Sequence, residues 1–353
     1  MSKKIVLTGG GTAGHVTPNL ALIPCLKDAG YDIYYIGSIN GIEKSLIEDY
    51  GIPYLAIETG KFRRYFDPKN FTDPFRVAKG FSQAHHFIHQ WKPDIVFSKG
   101  GYVSVPVVQA AAACHVPSIC HESDMTPGLA NKLCTPFAVK VCCNFPETMQ
   151  DLPAEKAVLT GTPIRAELFH GDAEKGRQIC GFTKDKPVLM VIGGSLGAAS
   201  VNKTVRDNLG ALLQDFQVVH LCGKEKMDNL LLTTPGYKQF EYVQEDLCHL
   251  YAMADIVISR AGANAICELL ALKKPNILVP LPTGRGDQKL NAGSFAQQGY
   301  SICVSDDDLP DVILEKVHEL YENRQKYIDR MAESSQINST KIIMGLIEEY
   351  SKK

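Results

Sequence analysis

Residues 255–292 read DIVISRAGANAICELLALKKPNILVPLPTGRGDQKLNA, and the order of elements within that stretch decides the fold class. Asp255 to Ile258 is a short apolar run with β-branched residues, the pattern of a buried parallel strand. Ser259–Arg260–Ala261–Gly262 breaks it, and Ala263 to Leu272 has helix-forming composition. N–H groups in a helix's first turn lack intrahelical acceptors and attract anions, so a diphosphate suits this helix start. Glu268, further along the helix, offers a carboxylate to a ribose diol. Pro280 and Pro282 then stiffen a loop presenting Asp287 and Gln288, whose amide both donates to and accepts from sugar hydroxyls. The combination reads as a nucleotide-sugar site.

The same grammar recurs elsewhere. Lys4 to Thr8 runs into Gly9–Gly10–Gly11–Thr12–Ala13–Gly14–His15, and Val188 to Ile192 runs into Gly193–Gly194–Ser195–Leu196–Gly197. A third copy joins Asp94–Ile95–Val96–Phe97 to Ser98–Lys99–Gly100–Gly101–Tyr102. Strand-like runs alternate with helical ones throughout, as doubly wound sheets require. The expected fold is α/β: two Rossmann-like domains with parallel sheets, facing each other over a cleft. Gly161–Thr162–Pro163 marks the boundary, giving domains 1–162 and 163–336. The segment 337–353, helical in pattern from Ile337 to Tyr350, is expected to fold back onto the N-terminal domain.

Composition supports a globular α/β protein. The chain has 353 residues, enough for two domains with real cores, at 45% apolar and 22% charged content. A net charge of -2 gives no global reason to expect nucleic acid. The eleven cysteines form no CxxC pair; most, including Cys25, Cys114, Cys180 and Cys303, read as small core residues of a reduced compartment. No signal peptide and no run of membrane-spanning length is evident, so the expectation is a cytosolic chain whose membrane contact is peripheral.

Gly9, Gly11 and Gly14 satisfy GxGxxG, which makes a dinucleotide oxidoreductase a rival. That fold wants an acid at the carboxyl end of the second strand. In Tyr31–Asp32–Ile33–Tyr34–Tyr35–Ile36–Gly37–Ser38 the acid comes first and Gly37–Ser38 occupy the far end, so an anion or acceptor-substrate loop is the better reading. A close helix–strand turn without ligand is the bland alternative. His85 and His89 have i, i+4 spacing, but the glutamate of HExxH and a third ligand are missing, so no metal site is expected.

With these residues assembled, the chain resembles the MurG family of bacterial peptidoglycan glycosyltransferases. The resemblance rests on seven ordered segments: TGGGTAGHVTPNLAL, SKGGYVSVP, HESDMTPGLANK, GTPIR, GGSLGAASVN, SRAGANAICE and GDQKLNA. It implies the GT-B fold and inverting transfer of N-acetylglucosamine from UDP-N-acetylglucosamine to lipid I, giving lipid II, without a cofactor. By position it implies that Arg165, Gly194 and Ser195 contact the UDP part and that the backbone of Val243 reads uracil. Ala263, Asn264, Ala265, Ile266 and Cys267 would form the phosphate-binding helix start, with Glu268 on the ribose and Asp287–Gln288 on the sugar. Thr12, Ala13, Gly14 and Asp124 would close over that sugar, while Gly11, Gly100, Gly101 and Tyr102 belong to acceptor loops. Standing alone, Arg165 also reads as a surface ion pair, and Glu268 and Gln288 as a solvated helix face.

Two departures from the family pattern are visible. His121–Glu122–Ser123–Asp124 stands where many members read His-Glu-Gln-Asn, and Asp287–Gln288 where they read Gln-Gln. Transfer needs a base for the muramyl 4-hydroxyl. His15 is the first choice because imidazole titrates near working pH and a helix start favours its neutral form. Glu122 and Asp124 are the alternatives.

Residues 61–99 carry eight Lys/Arg (Lys61, Arg63, Arg64, Lys69, Arg76, Lys79, Lys92, Lys99) against Asp67, Asp73 and Asp94. Phe62, Tyr65, Phe66, Phe71, Phe75 and Phe81 are interleaved with them. Asp73–Pro74 reads as a helix start, with Phe75, Ala78, Phe81, Ala84 and Ile88 near one face. At about 1 kcal/mol per basic residue near anionic lipid, the patch suits docking on the cytoplasmic leaflet. The competing reading packs these aromatics onto their own domain. Two other functions fit a nucleotide-sugar site: a non-hydrolysing UDP-sugar epimerase, and a non-catalytic nucleotide-sugar-binding subunit.

Overall fold

The computed structural model describes residues 2–60, 69–194, 197–283 and 286–351. Its contacts divide the chain into two compact units, residues 1–165 with 338–353, and residues 166–337. Each is built on one open parallel sheet.

The first unit orders its strands β3-β2-β1-β4-β5-β6-β7. These are β1 (Lys3–Thr8), β2 (Tyr31–Ser38), β3 (Tyr54–Ile57), β4 (Ile95–Ser98), β5 (Ser118–Glu122), β6 (Lys140–Cys143) and β7 (Ala157–Leu159). The second orders β10-β9-β8-β11-β12-β13. Here the strands are β8 (Val188–Ile192), β9 (Gln217–Leu221), β10 (Tyr237–Phe240), β11 (Ile256–Ser259), β12 (Asn276–Leu278) and β13 (Ser301–Cys303). Helices cover both faces of such sheets, so the central strands are apolar throughout: Ile5, Val6 and Leu7 have no exposed surface, nor do Val188 to Val191. Both sheets reverse direction of growth once, between β1 and β4 and between β8 and β11. Ligands bind beyond the carboxyl ends of strands at such switch points.

The C-terminal helix Ser339–Tyr350 belongs to the first unit. Ile343 and Ile347 are fully buried beside Leu22, Leu26 and Phe97, and Ser339 Oγ donates to the Thr162 carbonyl at 2.6 Å.

Three local expectations are corrected. The helix predicted from Asp73–Pro74 already runs from Lys69 to Trp91, with Pro74 inside it. Its apolar stripe is also split: Ala84 and Ile88 are buried and Phe81 packs beside them, whereas Ala78 is exposed and Phe75 is 79% exposed. A Cβ on Gly80 would overlap the Glu58 carbonyl oxygen, so that close approach turns the face bearing Asp73, Gly80, Ala84 and Ile88 inward. Among the cysteines, Cys180 is buried, Cys25 and Cys114 are half-buried, and Cys303 is exposed at the end of edge strand β13.

Candidate active site

In the first unit the glycine loops after β1 and β4 meet at the switch point. Gly11 has φ +89° and Gly101 φ +82°, conformations open to glycine at little cost. Contact leaves no room either: a Cβ on Gly11 would sit 2.6 Å from the Tyr102 ring, and one on Gly101 would overlap the Gly10 carbonyl oxygen. Gly11, Thr12, Gly14, His15, Gly100, Gly101 and Tyr102 are thereby gathered at the carboxyl end of the central strands.

His15 closes a 3-10 turn, Ala13–His15, ahead of the helix Thr17–Asp28 rather than starting that helix. Its Nδ1 lies 2.8 Å from Thr12 Oγ1, and its ring stands beside Gly100. Burial, then the Lys99 cation, push its pKa down to about 4, with Glu43 acting weakly in the other direction. The imidazole is therefore neutral at physiological pH, for reasons other than the helix end expected from the sequence. Thr12 Oγ1 can accept from Nδ1–H, and in that tautomer Nε2 is the basic nitrogen.

Beneath these loops lie polar side chains that motif reading assigned elsewhere or left without a part; Lys99, counted with the lipid-docking cations, is buried and cannot face lipid. Lys99 is 1% exposed; its Nζ is 2.8 Å from His121 Nδ1 and also donates to Ser123 Oγ. His121 is fully buried, and burial and Lys99 hold its pKa well below the ordinary value. The neutral ring thus accepts from Lys99 at Nδ1 and donates from Nε2 to the Gly161 carbonyl at 2.8 Å. Glu43, also fully buried, accepts from Ser38 N at 2.9 Å, Ser38 Oγ at 2.5 Å and Gly11 N at 3.3 Å. An acid does reach the carboxyl end of β2, but its oxygens serve the glycine loop and Ser38.

Glu122 is similarly committed. Its carboxylate accepts from Asp124 N at 3.0 Å, Gly128 N at 2.8 Å and Asn131 Nδ2 at 2.8 Å, organising the loop after β5. This geometry suits a loop anchor better than a base. Asp124 lies half-buried in that loop.

In the second unit the corresponding loops follow β8 and β11. Gly197 (φ +66°) donates its N–H to the Gly194 carbonyl at 2.9 Å and lies against the Cys222 carbonyl. Ser195 lies outside the described residues, as do Lys61, Arg63, Arg64 and the side chains of Phe71 and Ala13. Helix Ala263–Ala271 is led by the extended Gly262, which has no side chain to cap it, so its first turn keeps its anion-attracting character. Asn264, Ala265 and Glu268 are half-buried, while Ile266 and Cys267 face the core. Val243 follows β10, and Arg165 ends the first stretch of the first unit. Asp287 opens the helix Asp287–Gln297; Gln288 Oε1 accepts from Leu281 N at 3.0 Å, so its NH2 is the end available to a sugar oxygen.

Among the described residues no group of three or more His, Cys, Asp or Glu is placed to hold a metal ion, and no helix is long and apolar enough to cross a membrane. The His85 and His89 rings stack on one another at 6.1 Å.

Two open parallel sheets with glycine loops at both switch points define the GT-B fold class. Residues 5–143 match the glycosyltransferase family 28 N-terminal domain, and residues 188–346 its C-terminal domain. The chain belongs to glycosyltransferase family 28. It is 60% identical over 353 residues, 99% of this chain and 100% of the relative, to the UDP-N-acetylglucosamine--N-acetylmuramyl-(pentapeptide) pyrophosphoryl-undecaprenol N-acetylglucosamine transferase of Lachnospira eligens. A protein of the same name from Lachnoclostridium phytofermentans is 58% identical, with 99% of this chain and 100% of that one covered. The crystal structure of Acinetobacter baumannii MurG superposes with a TM-score of 0.77 at 27% identity, covering 98% of this chain and 99% of that one. These relatives are transferases, and the epimerase alternative is not favoured.

Proposed function

We propose that this chain transfers N-acetylglucosamine from UDP-N-acetylglucosamine to the muramyl 4-hydroxyl of lipid I, with inversion, and so makes lipid II for peptidoglycan synthesis. The observation that carries the reading is end-to-end likeness to transferases of that name. The diphosphate sits at the helix start Ala263 and the Gly194–Ser195 loop, the ribose on Glu268, uracil on the Val243 backbone, and the sugar on the Gln288 NH2. The family resemblance assigns Arg165 to the diphosphate and Thr12, Ala13, Gly14 and Asp124 to the sugar. Gly11, Gly100, Gly101 and Tyr102 shape the acceptor side.

The step is one in-line displacement. The muramyl O4 bonds to the anomeric carbon as its proton passes to His15 Nε2, and the bond to the UDP oxygen breaks with UDP taking both electrons. Fixed N–H dipoles and Arg165 stabilise the departing charge, and we read the step as needing no cofactor. The acceptor's lipid keeps the enzyme peripheral, on anionic lipid of the cytoplasmic leaflet. Support for that docking comes from exposed Phe75, Leu129, Leu133 and Phe137, which lie on the helices Lys69–Trp91 and Leu129–Cys134 and the turn after the latter; both helices pack against Ser104–Ala113. Nothing in the charge balance calls for a nucleic-acid partner.

Thermal stabilisation by UDP-N-acetylglucosamine, against UDP-N-acetylgalactosamine and NAD, tests the donor. Saturation at a hundred times Kd adds about 2.7 kcal/mol for the true ligand. Incubation with lipid I should yield β-linked lipid II; conversion of the donor to the N-acetylmannosamine epimer without acceptor, or stabilisation by NAD alone, would overturn the reading.

A further inference from the structure

One guanidinium ties together three loops of the second unit. Arg260, directly after β11, donates from Nη1 to the carbonyls of Val279 at 3.1 Å and Pro280 at 3.4 Å, and meets Asp306 Oδ1 at 2.5 Å. Its Nη2 donates to Ser200 Oγ at 2.8 Å, and that hydroxyl donates to the same Asp306 oxygen at 2.9 Å. The Arg260 and Asp306 side chains are 11% and 12% exposed.

The contacts reach three segments: the helix Ala199–Asp207 through Ser200, the loop after β12 through Val279 and Pro280, and the loop after β13 through Asp306. Ser200 is in the first turn of the helix Ala199–Asp207, just after the Gly193–Gly197 turn. Val279 and Pro280 open the loop after β12, and the next N–H, of Leu281, holds Gln288 Oε1. Arg260's own backbone leads through Ala261, whose carbonyl accepts from Asn291 Nδ2 at 3.1 Å, into the helix start at Ala263.

An ion pair so nearly buried is a poor source of net stability, because desolvation offsets most of the attraction. What a planar fork of donors supplies is direction. Glycine-rich turns have little intrinsic order, so their register must be imposed from outside.

We propose that Arg260, braced by Asp306 and Ser200, is a positioning residue that holds the Gly193–Gly197 turn, the Ala263 helix start and the Gln288 loop in one register, so that all three grip the donor together. The inference rests on the donor site proposed above. Arg260 touches no reacting atom; it acts through the loops it anchors.

The variants R260K and S200A test it in the full-length enzyme. R260K keeps the charge beside Asp306, but one ammonium cannot span Ser200 and two carbonyls. S200A removes a single hydroxyl and preserves the fold if R260K does not. Loosening the loops that grip the donor weakens ground-state and transition-state binding alike, so Kd and KM for UDP-N-acetylglucosamine should rise roughly tenfold in R260K and about threefold in S200A. With donor saturating, kcat should stay within about twofold and the acceptor KM should not move. If wild type itself fails to bind the donor, the site assignment falls. If wild type binds while both variants match it, or if S200A loses kcat and thermal stability with an unchanged donor KM, the positioning role is overturned.

Discussion

Between β1 and β4 the glycine loops close over Glu43, Lys99 and His121, three ionisable side chains with almost no exposed surface; between β8 and β11 the corresponding loops lie among Ala198, Ile258 and Val279, with the neutral amides of Asn202 and Asn291 and the Arg260–Asp306 pair. The strand order around the two switch points is the same. Shared topology therefore supplies the place, and the side chains beneath the loops decide the chemistry. Burial, and then the Lys99 cation, hold the His15 imidazole neutral where the proposed acceptor proton must go. At the other point backbone amides, whose dipoles cannot titrate, face the proposed diphosphate.

The largest effect that separates the two points is expected at His15. H15A should lower kcat by about 10²–10⁴-fold with donor affinity intact, since a positioned base contributes on that scale. Near-normal turnover in single-turnover assays would remove His15 as the base and leave the first switch point without its distinguishing role.

The turns themselves should respond unequally to a methyl group. Gly101 and Gly194 both have positive φ, +82° and +79°, but a Cβ meets the Gly10 carbonyl at the first and open space at the second. G194A should cost about 1 kcal/mol from backbone strain alone. G101A adds a steric clash and should cost roughly 2–4 kcal/mol in urea unfolding. Equal costs would show that the two loops of the first unit are not held in contact.

The smallest effect sharpens the electrostatic half of the comparison. Burial and Lys99 hold the His15 pKa at about 4, against an ordinary value of 6.5. His15 accepts a proton only when neutral, so activity should rise through the acid limb and level off above it. Removing the cation in K99M lets the pKa climb toward 6.5. The limb of kcat/KM should then move to higher pH, with activity at pH 5 falling roughly twofold to threefold, since burial persists, and activity at pH 8 retained. An unmoved limb would show that Lys99 serves packing alone.

Local pattern carried much of the architecture. Strand runs such as Ile5–Val6–Leu7 and Val188–Ile192, and the glycines that end them, are legible because burial periodicity and positive φ are properties of a few consecutive residues. The motif residues Gly11, His15, Gly101, Ala263 and Gln288 were found for that reason, as each sits within or beside such a turn. Glu43 was missed because GIEKSLIE reads as an ordinary exposed helix, yet folding places its carboxylate on Ser38 and Gly11.

Sequence alone thus determined two parallel α/β sheets, their glycine turns and the family resemblance, all encoded within short windows. Tertiary structure alone decided which face of the helix Lys69–Trp91 turns inward, that Lys99 and His121 share a buried hydrogen bond, and that Arg260 meets Ser200 and Asp306. Those contacts join residues 22 to 60 positions apart, and no local propensity specifies a pairing that exists only once the sheets have assembled.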